Sequence, residues 1–485
     1  MSFNFAEDVE YLLSREFSES LISSDQLQSL RSEFLFPESE VEEEGKQNKK
    51  SAIYLCGNSL GLQPKRTRAY VGEELDKWAA HGVEGHFTNP RPWVTTDEDV
   101  RDSLERVVGA KEGAGEVVAM NGLTVNLHLL MAGFYRPSQA ESSSSSSSKR
   151  RHKILIEQHA FPSDAHAVQS QILLQGGTLE ESLVEVGPRE GEETLRVEDI
   201  EAAIALHGEE LSLVLLPGIQ YYSGQFLPIE RLTRAAHAVG ARAGWDLAHA
   251  VGNVRLRLHD WNVDFACWCS YKYLNSGPGG LAGAFLHERF ADVSFDQMPH
   301  FAGWWGHRKS DRFKMDTTFI PSRGISGWQL SNPPVLAVAA LRASLDVFEL
   351  AMRQSSSSSS TSSSSSSSSS TELNVSTWDA LESKSRILTG YLEAILCKSL
   401  VKSGDLKIVT PTSPEERGCQ LSVKFVTVSV KSVHNALSAK NFIVDVREPE
   451  LMRIAPAPLY NNADDVRLFA LALIEIVTEL KKEVK

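Results

Sequence analysis

From about residue 110 to 290, short apolar runs alternate with stretches of helical spacing, and few folds accept that pattern. Lys153–Glu157 reads as a buried strand, as do Leu211–Leu216, Ala241–Trp245, Asp264–Cys269 and Leu281–Leu286. Between two of these, Ile229–Val239 carries apolar residues at helical spacing and stops at Gly240, a residue suited to a left-handed C-cap. Strand, helix, strand repetition implies strands paired mostly in parallel, with the helices laid on the sheet. The pattern therefore predicts an α/β chain with a mostly parallel sheet. In such sheets ligands gather at the carboxyl ends of the strands.

Polar groups stand at just those ends. Phe161-Pro162-Ser163-Asp164 follows the first strand, Asp246 follows Ala241–Trp245, and Lys272 follows Asp264–Cys269. By itself Lys272 reads equally well as a solvated strand end. Asp246 adds a second strand-end charge, and in a parallel sheet both can face one crevice. A lysine that forms a Schiff base and a carboxylate that keeps a pyridine nitrogen protonated are the pair that pyridoxal phosphate (PLP) needs. PLP also needs a phosphate cradle. Met120-Asn121-Gly122-Leu123-Thr124 precedes an apolar helical run, Val125–Phe134. A turn leading into a helix start offers free N–H groups and the positive dipole end to an anion, although an ordinary capped helix reads the same way.

The flanks read differently. Residues 1–50 look helical and then frayed, with Ser24-Asp25 capping a helix through Phe34 and Glu38–Lys50 as a charged surface loop. After the sheet come helical stretches Pro334–Met352 and Ser376–Leu400, strand-like Gln420–Val430, Phe442–Val446 and Leu451–Ala455, and an amphipathic helix, Asp464–Lys482. This predicts an N-terminal helical segment (1–50) packing with a small α+β domain (335–485), beside a large domain (51–334). Ser142–Ser148 is all serine, and Ser355–Ser370 is serine except for Thr361. Such runs cannot build a core and are expected as disordered surface-loop insertions, which closure entropy tolerates.

Composition narrows the partners. There are 49 Lys and Arg against 63 Asp and Glu, a net charge of −14, which argues against a nucleic-acid binder. No apolar run is long enough to span a membrane, and Met1–Glu10 lacks the pattern of a secretory leader. The 5 cysteines show no CxxC pairing, as suits a reducing, cytoplasmic setting. Cys267 and Cys269 alternate on a buried strand and read as core. With His249 they show no recurring ligand spacing, so no metal is expected.

Longer motifs carry a family resemblance. Segments 244–253 (GWDLAHAVGN) and 264–275 (DFACWCSYKYLN) resemble kynureninase. So do 55–62 (LCGNSLGL), Arg91-Pro92-Trp93, 121–130 (NGLTVNLHLL), Phe161–Asp164, 303–307 (GWWGH), Ser331-Asn332-Pro333-Pro334, 416–420 (ERGCQ) and 453–460 (RIAPAPLY). The likeness runs from about 50 to 480 outside the serine runs, and its order is specific. With those runs, it resembles a eukaryotic, fungal-type member. It implies a fold-type-I, aspartate-aminotransferase-like PLP enzyme. The family hydrolyses L-kynurenine or 3-hydroxy-L-kynurenine at the Cβ–Cγ bond to L-alanine and an anthranilate, in tryptophan catabolism and NAD biosynthesis.

The resemblance also implies roles. Lys272 would carry the cofactor and move the proton at substrate Cα. Asp246 would pair with the pyridine nitrogen, His249 would sit near the phenolic oxygen, and Phe161 would stack on the ring. Leu123, Thr124, Tyr271 and Tyr222 would meet the phosphate, with Asp164 lining the cofactor. Tyr271 is also a candidate proton donor to Cβ. Trp304 and Asn332 would come from a neighbouring protomer, implying a homodimer with shared sites. Arg453 would clamp the α-carboxylate. His86, Ser331 and Asn332 resemble the set of members that prefer 3-hydroxykynurenine, while Ser59 and Trp93 would line the pocket. Pro217 departs from the family, which often has a serine there; proline offers neither hydroxyl nor N–H, so one cofactor contact would be lost. A desulfurase on the same fold would need a cysteine on a mobile loop, whereas Cys419 opens an apparent strand.

Overall fold

The computed structural model describes residues 7–43, 46–137, 150–357 and 370–484. Its centre is a 7-stranded sheet. The strands are β1 (Val117–Ala119), β2 (Lys153–Glu157), β3 (Leu183–Val186), β4 (Leu211–Pro217), β5 (Arg242–Asp246), β6 (Phe265–Trp268) and β7 (Gly283–Leu286), in the order β1-β7-β6-β5-β4-β2-β3. From β3 to β6 every pairing is parallel, whereas β7 runs antiparallel to both its neighbours. The mostly parallel sheet expected from the apolar runs is present. The reversed β7 reads like the others because burial on both faces leaves the same apolar signature whatever the strand direction.

Both faces are covered. On one, Leu155, Val214, Trp245 and Trp268 pack with α3 (Val197–His207), α4 (Ile229–Ala238) and α5 (Val335–Ser357). On the other, Ile154, Leu213, Phe265 and Cys267 meet α1 (Leu123–Phe134) and α2 (Pro162–Leu174). Each fully buried large apolar side chain contributes about 1.5–3 kcal/mol, against roughly 0–1 for an exposed ion pair, so these two layers set the register.

A second core lies under a 4-stranded antiparallel sheet of β8 (Leu406–Ile408), β9 (Leu421–Phe425), β10 (Asp445–Arg447) and β11 (Leu451–Ile454), ordered β8-β9-β11-β10. It is filled from α6 (Ser370–Leu396), α7 (Ala463–Val484) and, from the N-terminal segment, Leu12 and Phe17. Among the described residues no helix is long and apolar enough to cross a membrane.

Several local expectations need correction. The N-terminal helix is Arg15–Ser23, capped by Ser14, whose Oγ accepts from Phe17 N at 3.2 Å. Asp25 does not cap a helix through Phe34. It accepts from Leu27 N at 2.9 Å, and a 3-10 turn, Gln28–Glu33, follows while Leu27, Leu30 and Phe34 enter the core. The supposed loop Glu38–Lys50 contains a hairpin, Glu38–Glu43 paired with Lys46–Ser51, and Lys49 Nζ lies 3.5 Å from Glu38 Oε2. Gln420–Val430 is strand only over β9, because Val430 opens a helix. Phe442–Val446 is divided: Phe442–Ile443 pairs with Ile53–Tyr54, and the next residues enter β10. The serine run 142–148 lies outside the described residues. Of the run 355–370, only 355–357, ending α5, and 370, opening α6, are described.

Candidate active site

The carboxyl ends of β1, β2, β4, β5 and β6 share one edge of the sheet. Asp246 ends β5 in register with Pro217 and Cys267, and its Oδ1 accepts from Ala248 N at 2.9 Å. Lys272 lies in the turn after β6, which closes through Asn275 N donating to Lys272 O at 3.0 Å, with Asn275 at φ 54°. Residues 57–62 press onto this turn. Gly61 N donates to Tyr271 O at 2.8 Å, and a Cβ on Gly61 would lie 2.2 Å from Lys272 O, so only glycine fits.

Lys272 Nζ is 2.9 Å from His249 Nε2 and 5.9 Å from the centre of the Phe161 ring. Burial, and then the Lys272 charge, hold the His249 pKa well below its ordinary value. His249 is therefore neutral and accepts on Nε2. That places its hydrogen on Nδ1, a buried atom with no partner among the described residues. Asp164, on the first turn of α2, is raised well above the carboxylate range by burial first and Asp246 second. It thus keeps its proton and donates to Asp246, while its Oδ1 is buried and unpartnered. Glu157, at the end of β2, is pushed up to about 8 by burial, with Asp246 adding to the shift. This third carboxyl escapes a reading by motif, and its signal is an acid closing a strand buried from Ile154 onward.

Two helix starts meet beside this group. The N-cap of α1, Gly122, has extended backbone and no side-chain cap, which leaves the first-turn N–H groups of Leu123 and Thr124 free. Thr124 Oγ1 lies 2.7 Å from Ser163 Oγ on α2. Tyr271 is half-buried, its phenol bonded to Cys269 and raised mainly by burial. Tyr222 faces the small sheet, with Lys424 Nζ 5.8 Å from its ring centre.

Arg453 is only 1% exposed although it carries a full charge. Its Nη1 donates to Tyr221 O at 2.9 Å and its Nη2 to Ser59 Oγ at 3.2 Å, and Nη2 also pairs with Asp445. Asp445 in turn binds Arg447 Nη1 at 2.5 Å and accepts from the Ser59 hydroxyl. Two guanidiniums against one carboxylate leave one positive charge, and Arg453 Nε has no partner among the described residues. A spare positive charge on a buried guanidinium suits a carboxylate. Both arginines also depress His249, which ties the clamp to the Lys272 group. Asp445 and Arg447 were not singled out in the sequence; their signal is alternation along β10, which puts both on one face.

The structure does not bring every expected residue to this place. His86 packs edge-on to Trp93 at 5.4 Å, and Trp93 Nε1 donates to Glu74 at 2.8 Å. Trp304 packs on Phe313 at 5.5 Å, and Phe313 on Phe87 at 5.7 Å. These rings lie at the surface, with Trp304 48%, Phe313 53% and Phe87 58% exposed. Ser331 and Asn332 are exposed as well.

Cys267 and Cys269 are core residues, and Cys419 is fully buried with its thiol pushed up to about 12 by burial, unlike a nucleophile on a mobile loop. Among the described residues Glu116, His259 and His287 come close enough to hold a metal ion. Their polar atoms are already engaged: Glu116 Oε1 accepts from His259 Nδ1 at 2.9 Å and Glu288 N at 2.7 Å, and His287 Nδ1 accepts from Arg289 N at 3.2 Å.

The family model for aminotransferase class-V matches residues 53–361, and that for the kynureninase C-terminal domain matches 381–473. A kynureninase of Nematostella vectensis is 45% identical over 471 residues, covering 94% of this chain and 93% of that protein. One from Xanthomonas oryzae pv. oryzae is 47% identical over 460 residues, covering 94% and 97%. That of Rattus norvegicus is 46% identical over 439 residues, covering 89% and 86%. Among solved structures, a cysteine desulfurase from Thermococcus onnurineus NA1 superposes with TM-score 0.66 at 16% identity, over 88% of this chain and 95% of that one. A C-DES mutant with glycine covalently linked to its PLP cofactor gives TM-score 0.65 at 14% identity, over 87% and 96%. At such identities these two show the fold alone, which is the type I fold of the aminotransferase-like enzymes.

Proposed function

This chain belongs to the kynureninase family, and on that premise we propose that it hydrolyses L-kynurenine and 3-hydroxy-L-kynurenine between Cβ and Cγ, releasing L-alanine with anthranilate or 3-hydroxyanthranilate. It is a PLP-dependent hydrolase of carbon–carbon bonds, serving tryptophan catabolism and NAD biosynthesis. The observation that carries this reading is the meeting of Lys272 with neutral His249, with Asp246 at the end of β5 paired to Asp164 on the first turn of α2, and with buried Arg453 close enough to act on His249.

The residues at the sheet edge fit PLP. Asp164 Oδ1 and His249 Nδ1 are buried polar atoms without partners among the described residues, which suits a ring bearing a nitrogen and a phenolic oxygen. The uncapped start of α1 suits a phosphate. Asp246 would hold the pyridine nitrogen with Asp164 beside it, His249 the phenolic oxygen, and Phe161 the ring face. Leu123, Thr124 and Tyr271 would hold the phosphate, whereas Tyr222 faces the small sheet. When bound, PLP supplies an electrophilic aldehyde and a ring that accepts electrons.

Lys272 would hold the aldehyde carbon and would move the proton at substrate Cα. Arg453 and Ser59 take the α-carboxylate, which balances the charge that Asp445 leaves over. Tyr271 gives the proton to Cβ of the departing alanine fragment. The water oxygen added at the γ-carbonyl leaves in the carboxylate of the anthranilate product. His86, Trp93 and Ser331, which lie apart from the Lys272 group within one chain, would meet the aromatic end together with Trp304 and Asn332 across a homodimer. The exposed Phe87, Phe313 and Trp304 rings support that assembly, since an apolar surface group of this kind marks an interface. The five free cysteines suit the cytoplasm.

Purified protein loaded with PLP should release fluorescent anthranilate from kynurenine and 3-hydroxyanthranilate from the hydroxylated substrate. No product from either overturns the assignment. Sedimentation velocity of the loaded protein should give the mass of two chains, and a monomer at assay concentration overturns the shared site.

A further inference from the structure

Tyr221 has no part in the scheme above, yet it touches both halves of the site. Its ring stands edge-on to Phe161, with centroids 5.4 Å apart and planes at 75°. Its carbonyl accepts from Arg453 Nη1 at 2.9 Å and from Gln420 Nε2 at 3.3 Å. The segment around it is tightly held. Gln220 Oε1 accepts from Tyr222 N at 2.7 Å and Ser223 N at 2.9 Å, and Gly224 N donates to Gln220 O at 2.9 Å. From the small sheet, Ser422 Oγ donates to Tyr222 O at 2.6 Å, and Thr410 Oγ1 donates to Ser223 O at 2.6 Å.

Phe161, by contrast, is 41% exposed at the start of α2, and its own backbone does little to fix the plane of its ring. We propose that Tyr221 is a positioning residue: its ring sets the plane in which Phe161 meets the cofactor, while its carbonyl anchors Arg453. Cofactor stacking and the carboxylate clamp are thereby held by one residue on one braced segment. The proposal rests on the family reading of Phe161 as the stacking residue.

The test is the affinity of the cofactor-free full-length chain for PLP, read by titration without turnover. An edge-to-face pair of this geometry is worth a change of about three- to ten-fold in a binding constant. Tyr221→Leu should weaken PLP binding by that factor, and Tyr221→Phe should restore the wild-type value. Combined with Phe161→Leu, Tyr221→Leu should cost nothing further, because it acts through that ring. If Tyr221→Leu does not fold, Tyr221→Met reads the same quantity. Unchanged PLP affinity in the non-aromatic variant, or losses that add in the double variant, overturns the proposal. A wild-type chain that binds PLP but releases no anthranilate overturns the functional reading instead and leaves this titration interpretable.

Discussion

Lys272 Nζ and His249 Nε2 are 2.9 Å apart, and this contact adds to the burial that keeps the histidine neutral. A lysine ammonium next to a buried imidazole makes a second positive charge unfavourable, so the ring is a neutral acceptor on one side and a donor on the other. Above the ordinary histidine pKa of about 6.5, folded and unfolded chains both hold it neutral. Below that value only the unfolded chain takes the proton, so stability is lost as pH falls. His249→Asn should lose less melting temperature than wild type between pH 7 and pH 5.5. Parallel curves for the two proteins contradict a neutral buried His249.

Lys272→Ala should abolish the visible absorption band of the PLP-loaded protein and lower turnover by roughly 10³-fold or more, the upper part of the range for a general acid–base group. A retained band with retained turnover means that another lysine carries the cofactor.

Arg453→Gln should raise KM far more than it lowers kcat. Loss of one partner in a buried charge pair costs about 2–5 kcal/mol, or roughly 30-fold and upward in binding. Asp445→Asn is the companion measurement, because Asp445 holds both Arg453 and Arg447. Its KM should rise as well, while PLP affinity stays at the wild-type value. An unchanged KM in both variants removes the carboxylate clamp from this place.

Glu157 gives a prediction of opposite sign to His249. Its folded pKa, about 8, lies above the ordinary carboxyl value of 4.5. Between these values the unfolded chain releases the proton and the folded chain keeps it, so stability falls as pH rises, by up to about 1.4 kcal/mol per pH unit. Glu157→Gln removes that penalty. Its gain in melting temperature over wild type, measured on the cofactor-free chain, should grow from pH 5 to pH 8 and level off above. A difference independent of pH would show that Glu157 is ionised in the folded protein.

Five strands of the large sheet were legible because their centres are buried and apolar, and the same fact concealed the reversal of β7; β1, only three residues long, and β3, buried only at Val186, were not legible. The hairpin Glu38–Ser51 was not legible, since a polar arm carries no apolar alternation. Lys272, Asp246 and the Leu123-Thr124 helix start could be read from their positions after apolar runs. The clamp could not, because Ser59 and Tyr221 lie far in the chain from Asp445 and Arg453, which themselves meet only once β10 and β11 pair. Motif likeness recovered Ser59 and Arg453. Nothing in a linear reading ties Asp445 to them.

Cleavage of kynurenine at Cβ–Cγ by the Lys272 site is most directly tested by quantifying both products from one reaction of the PLP-loaded chain. Alanine and anthranilate should appear in equal amounts in the wild type and be absent in Lys272→Ala. Alanine without anthranilate, or sulfide released from added cysteine in place of either product, contradicts it.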